Sequence, residues 1–553
     1  MAEGSRRAGP GWALWLPVAA AALVAGFVAA RVSCDIPFDS DEANHANIAL
    51  RQFEDLRDGH FADFVRHSYR TGQFPFLHGW TLLPWFALLG PTLFAARVAQ
   101  CAHFLLGAAA TGWAAWRVAG DDRRAAAIGA GLFVACPLLA TYGGLCMLET
   151  PGAATTALTL AVFAEACRSR GRRALVLHAA TAAAALATYF TKLNYGLWIG
   201  PAIAAGHAVR IWRSSPRREA LRHAAVYAGV ALGVLAVWYS TSGQRAAFMG
   251  FLHNPAQETP VESDDPTFRL PGLSGANFFA YFGLVAARCH LHWTLGAAVL
   301  AAFARGVRET LRRPGVAAAA VCLVWTWLVL SMGFREYANE RFIASALPAL
   351  WIVAAAGAAD LLRRAGARPW WPLAGLGLLA AAVGAQFAAL PPRMQAEYET
   401  DTRFVPVFDF VAASVPPKSS VLVVGSTDHT SARYIEWRLG ADPGRAWRDV
   451  NVVGLNSERV FESSKRLDAW MTTPRRWGAA DWGTYVVEMT PGPYYPDAAI
   501  VQAETAQMWR DAVRRHEPHL VRVAERRFEE LDLRVTVWRD TSPPRHLGLT
   551  GGE

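Results

Sequence analysis

The sequence predicts an all-α polytopic membrane bundle of about 12 transmembrane helices, followed by a C-terminal soluble α/β domain. Three observations carry this. The 553 residues are 53% hydrophobic and 18% charged, with 22 Trp, where a soluble domain has about 25% charged residues. Apolar runs recur through residues 1–390, each near the ~20 residues a helix needs to cross a bilayer. Arginine clusters fall at every second connection between those runs, as in loops retained on the cytoplasmic side. These loops account for the net charge of +9. The charge therefore signals membrane lipid, and no nucleic acid, as the partner.

The first span covers 12–32, after Arg6 and Arg7. Its length, and the lack of a small-residue cleavage site, favour an uncleaved helix over a signal peptide. Further spans are expected at 76–90, 94–117, 123–143, 150–167, 174–190, 193–212, 223–240, 288–305, 315–333, 342–362 and 370–390, with an amphipathic surface helix at 274–287. The basic connections are Arg117 to Arg124, Arg168 to Arg173, Arg213 to Arg222, Arg305 to Arg313 and Arg363 to Arg368. The alternate connections, 33–75, 144–149, 241–273 and 334–341, are longer or more acidic. The expected protein is multi-pass in a plasma or bacterial inner membrane, with its C-terminal domain extracytoplasmic. A membrane domain, 1–390, contains a first outer loop, 33–75, and the soluble domain takes 391–553.

The soluble segment reads as helix 404–414, a β-branched strand 420–425, helix 431–439, strand 485–488, helix 503–515 and strand 533–538. The segment holds no phosphate-binding glycine loop, and Gly425-Ser426-Thr427-Asp428 reads as a strand-to-helix turn, with a binding loop as the alternative. Most of the seven Cys lie in apolar runs without metal-ligand spacing. Cys34 and Cys146 share the predicted outer face, where a disulfide and two free thiols are both open readings.

Chemistry concentrates at the outer ends of the spans. Asp39, Asp41, Glu42 and His45 crowd into one stretch beside the first span, and carboxylates there are costly unless something compensates them. A helix start with acidic residues in its first turn accounts for one or two of them, not for the set. Glu149 stands at the mouth of a span, with Pro151 suited to the following first turn. Lys192 is the only Lys in the first 400 residues. Arg serves elsewhere, so Lys192 suggests a need such as an anionic phosphate, against the plain alternative of a snorkelling interfacial Lys. Arg341 enters a span from a charged loop, and Arg70 and His78 add cations in an aromatic stretch.

Taken in order, these motifs resemble the GT-C superfamily of membrane glycosyltransferases, most of all its protein-mannosyltransferase and aminoarabinose-transferase branch. The family carries an Asp-Glu pair in the first outer loop, here Asp41-Glu42, and an acidic residue opening a later span, here Glu149. It carries a Thr-Lys pair followed by Gly, here Thr191-Lys192 and Gly196, and a cation before a Pro-containing apolar run, here Arg341 and Leu347-Pro348. The sequence departs from the family at Gln73-Phe74-Pro75-Phe76, which lacks the usual Lys or second Pro.

The resemblance implies inverting transfer of a sugar from a polyprenyl-phosphate donor to an extracytoplasmic acceptor: a protein, a lipid or an envelope glycan. It implies Asp41 as general base, with Glu42 and Glu149 beside it in the catalytic set. Lys192, Arg341, His45, Arg70 and His78 are implied in binding. Asp39-Ser40-Asp41 also reads as the Asp-X-Asp of metal-using members, suited to Mg²⁺ or Mn²⁺, and metal-independent members exist. A transporter or flippase of lipid-linked glycans is the rival reading, but it calls for mid-membrane charges and internal repeats. A non-catalytic scaffold is the third.

Overall fold

The computed structural model describes residues 37–38, 40–69, 75–214, 216–240, 289–290, 293–311, 313–333, 340–366, 402–416, 419–426, 432–440, 450–456, 483–492 and 517–541, with single positions at 19, 283, 285, 511 and 514. The expected spans 12–32 and 370–390, the surface helix 274–287 and the tail helix 503–515 lie almost wholly outside the described residues. Cys34 and Thr427-Asp428 also lie outside them.

The chain is mostly helical, with one small mixed sheet, and divides into two compact units. One comprises Met1–Arg31, Val65–Thr81 and Arg97–Arg393; the other comprises Val32–Phe64, Leu82–Ala96 and Met394–Glu553. The helices, in chain order, are α1 Ser40–Arg57, α2 Phe61–Tyr69, α3 Leu77–Leu89, α4 Leu93–Val118, α5 Arg123–Val134, α6 Pro137–Tyr142, α7 Glu149–Arg168, α8 Gly171–Thr191, α9 Leu193–Arg213, α10 Arg217–Trp238, α11 Trp293–Thr310, α12 Pro314–Gly333, α13 Glu340–Ile343 and α14 Leu347–Arg364.

Within the first unit, α7 packs on α8, α9 on α12 and α11 on α14. Four described helices are long and apolar enough to cross a membrane: Leu93–Val118, Gly171–Thr191, Arg217–Trp238 and Arg341–Arg364. They occupy different places in the bundle. The apolar window of Arg341–Arg364 is 89% buried and central, while that of Arg217–Trp238 is 11% buried and peripheral. Several threonines inside the bundle return their hydroxyls to carbonyls one turn back, as Thr155 does to Pro151 and Thr159 to Thr155, which satisfies those hydroxyls within their own helix.

The expected span 123–143 is broken in two. Cys136 is extended between α5 and α6, because Pro137 lacks an N–H and disfavours helical backbone at the residue before it.

Four of the five basic connections predicted from charge meet at one end of this unit. Asp121 takes Arg117 at 2.9 Å and Arg168 at 2.5 Å. Glu165 pairs with Arg117 and Arg173. Asp360 gathers Arg305, Arg363 and Arg364, and Arg313 donates to the Val118 carbonyl. Burial holds the Arg313 guanidinium below its usual pKa, with Arg168 and Arg363 adding repulsion.

The second unit contains α15 Val405–Ser414, β1 Ser419–Ser426, α16 Ala432–Gly440, β2 Val450–Asn456, β3 Gly483–Pro491, β4 Leu520–Phe528 and β5 Leu533–Asp540. The sheet order is β2-β1-β3-β5-β4. β1 runs parallel to β2 and β3, in register Val421 to Tyr485, and β5 is antiparallel to β3 and β4. Val421 to Val424 are buried in sequence, as in a strand covered on both faces. The helices and strands expected at 404–414, 420–425, 431–439, 485–488 and 533–538 are all present; β2 and β4 are additional. Residues 32–64 and 82–96 belong to this unit, and α1 packs against α16 there.

Candidate active site

The first unit builds an acid–cation cluster at the end of α7 opposite the arginines. α7 starts at Glu149 and ends at Arg168, and its 20 residues span about 30 Å. Glu149 is 1% exposed, and its Oε1 accepts from Arg341 Nε at 3.3 Å. Its Oε2 is buried and has no hydrogen-bond partner among the described residues. Arg341 is 29% exposed, and its guanidinium lies 5.7 Å from the centroid of the buried Tyr142 ring. A buried carboxylate with one filled and one open acceptor is costly unless the site takes a further donor.

Lys192 joins this cluster through Tyr195. It sits in extended backbone between α8 and α9, and its Nζ lies 5.3 Å from the Tyr195 ring centroid. Tyr195 is buried, lies within electrostatic reach of Glu149 and Arg341, and its hydroxyl has no partner among the described residues. Two glycines permit the packing. A Cβ on Gly152 would enter the Tyr195 ring, and one on Gly196 would enter Tyr189. Glu149, Lys192 and Arg341, far apart in sequence, thus share one neighbourhood with two tyrosines. The sequence reading gave Tyr142, Tyr195 and Gly152 no role; the signal for Tyr195 was its place three residues after Lys192.

His78 is buried and held by Gln100 of α4, Nε2 to Nε2 at 3.0 Å. Asp41, Glu42 and His45 ride on α1 in the second unit. Asp41 is exposed in the first turn, while Glu42 and His45 are buried. Asp39 and Arg70 lie outside the described residues. Among the described residues no three His, Cys, Asp or Glu side chains gather into a metal-ligand set, and Asp39 of the Asp39–Asp41 pair expected for Mg²⁺ or Mn²⁺ is not one of them.

No family model matches the sequence, and no curated protein matches it significantly. Solved structures do match. The apo structure of ArnT from Cupriavidus metallidurans superposes with a TM-score of 0.58 at 17% identity, over 98% of this chain and 99% of that one. The chain shares its fold with ArnT. ArnT bound to undecaprenyl phosphate gives a TM-score of 0.55 at 16% identity, over 99% and 100% of the two chains. The Archaeoglobus fulgidus oligosaccharyltransferase in complex with Zn and sulfate gives 0.51 at 14% identity, over 89% and 70%. The arabinofuranosyltransferase AftD from Mycobacteria gives 0.52 at 16% identity, over 96% of this chain and 40% of that one.

Proposed function

We propose that the chain is an integral-membrane inverting glycosyltransferase that moves a sugar from a polyprenyl-phosphate carrier to an acceptor hydroxyl outside the cytoplasm. One observation carries the reading. A buried Glu149–Arg341 pair with an open carboxylate oxygen lies beside Lys192, in a fold shared with an ArnT structure bound to undecaprenyl phosphate.

The acceptor oxygen attacks the anomeric carbon as its proton passes to a carboxylate general base, the role that the resemblance gives to Asp41. The bond from the anomeric carbon to the phosphate oxygen breaks, and its electron pair stays on the departing lipid phosphate. Charge grows there, and Arg341 and Lys192 stabilise it. Glu149 orients Arg341 and offers its second oxygen to the acceptor. The arginine-rich end of the bundle is cytoplasmic; the Glu149 end and the C-terminal domain face outward.

The test is turnover in proteoliposomes. Undecaprenyl-phosphate-linked mannose, aminoarabinose and arabinose are supplied together with envelope lipid, glycan and protein acceptors, and release of undecaprenyl phosphate is measured. At least one donor is expected to turn over, with Asp41→Asn slower by about 10²–10⁴-fold. Transbilayer movement of intact donor with no release from any of the three would favour the flippase instead.

A further inference from the structure

The second unit holds a buried carboxylate that the transfer chemistry does not use. Glu436 on α16 is 1% exposed and collects three donors. Arg51 Nη2 reaches its Oε1 at 2.6 Å; Asn47 Nδ2 and Arg433 Nη1 reach its Oε2 at 3.1 and 3.2 Å. Asn47 also donates to the Arg433 carbonyl at 2.9 Å. Asn47 and Arg51 are one turn apart on α1, the helix whose first turn presents Asp41. On the other side of Asp41, the Phe38 ring meets Trp437 edge-on at 5.2 Å and Tyr434 at 6.2 Å. Asp41 is therefore bracketed in sequence by two contacts with the same short helix, one aromatic and one ionic.

We infer that Glu436 is a positioning residue, through which the C-terminal portion of the chain fixes the helix that carries the base. This rests on Asp41 acting as the base. The physical need is plain. A carboxylate in the first turn of a helix sits where helices fray, and a misplacement of about 1 Å costs a reacting pair about 10²-fold in rate. A buried ion pair adds little net stability and is better suited to holding one arrangement among several.

The test uses the full-length protein in nanodiscs and proteoliposomes, with Glu436→Ala and the isosteric Glu436→Gln. Two readouts are expected to move. Hydrogen exchange across 40–51 rises in both variants, while β4 and β5 keep their protection. With the donor turned over by wild type, kcat falls about 10–100-fold in Glu436→Ala and less in Glu436→Gln. The donor KM stays within about twofold, and adding Glu436→Ala to Asp41→Asn lowers kcat no further, because the effect runs through Asp41. Unchanged exchange across 40–51 overturns the inference, with or without turnover. So does a further fall in kcat of about 10–100-fold when Glu436→Ala is added to Asp41→Asn, the mark of a structural loss that does not act through the base. Failure of the base assignment shows separately, as Asp41→Asn with wild-type turnover. Glu436→Gln keeps the measurement available if Glu436→Ala does not fold.

Discussion

The two ends of α7 treat their carboxylates in opposite ways. At the Arg168 end, Asp121 meets two arginines and Asp360 three, and Glu165 is shared by Arg117 and Arg173. Charge is over-compensated there, and several partners are open to solvent, Arg173 at 72% exposure. At the Glu149 end one carboxylate, almost wholly buried, meets one arginine and keeps an unfilled acceptor. Redundant ion pairs with solvent-open members survive the loss of one partner, whereas a buried carboxylate held by one arginine does not. Redundancy marks the end that holds the bundle together, and incompleteness marks the end suited to a ligand.

That contrast has measurable consequences. Arg341→Ala leaves Glu149 buried without its arginine and should cost about 3–5 kcal/mol, read from unfolding in detergent. Adding Glu149→Gln to it should return part of the loss. A loss no greater than at Asp121 would erase the distinction between the two ends. Glu149→Gln alone should lower turnover about 100-fold, roughly 2.7 kcal/mol of barrier, because the amide neither holds Arg341 nor accepts as a carboxylate does. Lys192→Ala should weaken donor binding about tenfold, the scale of one charge-assisted hydrogen bond, and Lys192→Arg should retain more; equal KM values in the three proteins would remove Lys192 from phosphate binding. The smallest effect belongs to Asp121→Asn: within about 1 kcal/mol of wild-type stability, with unchanged turnover. A large loss of activity there would mean that the arginine end does more than hold helices.

Much of the architecture was legible because its signals are local. Spans near 94–117, 150–167, 174–190 and 193–212 coincide with α4, α7, α8 and α9 to within a few residues, since apolar length is counted along the chain. Pro137 was visible in the sequence, yet its break was not anticipated inside a continuous apolar run. In the sheet, the interior strands β1, β3 and β5 were readable as β-branched runs. The two edge strands were not. β4 is exposed at nearly every position between Leu520 and Phe528, so it carries no alternation to read, and β2 is interrupted by Gly454.

For the candidate site, the order of residues alone picked out a carboxylate at a helix mouth, a solitary Lys and a cation before a proline. Those choices rest on the cost of charge near lipid, which any local stretch displays. The folded chain assigns what neighbours in sequence cannot: Arg341 as the partner of Glu149, Tyr195 as the surface shared with Lys192, Gln100 as the holder of His78, and Glu436 as the anchor of α1 across 389 positions. Helix length and sidedness follow from short-range propensity and from charge beside the bilayer. Pairings over such separations arise only when packing chooses among many chemically equivalent arginines and carboxylates, and composition does not record that choice.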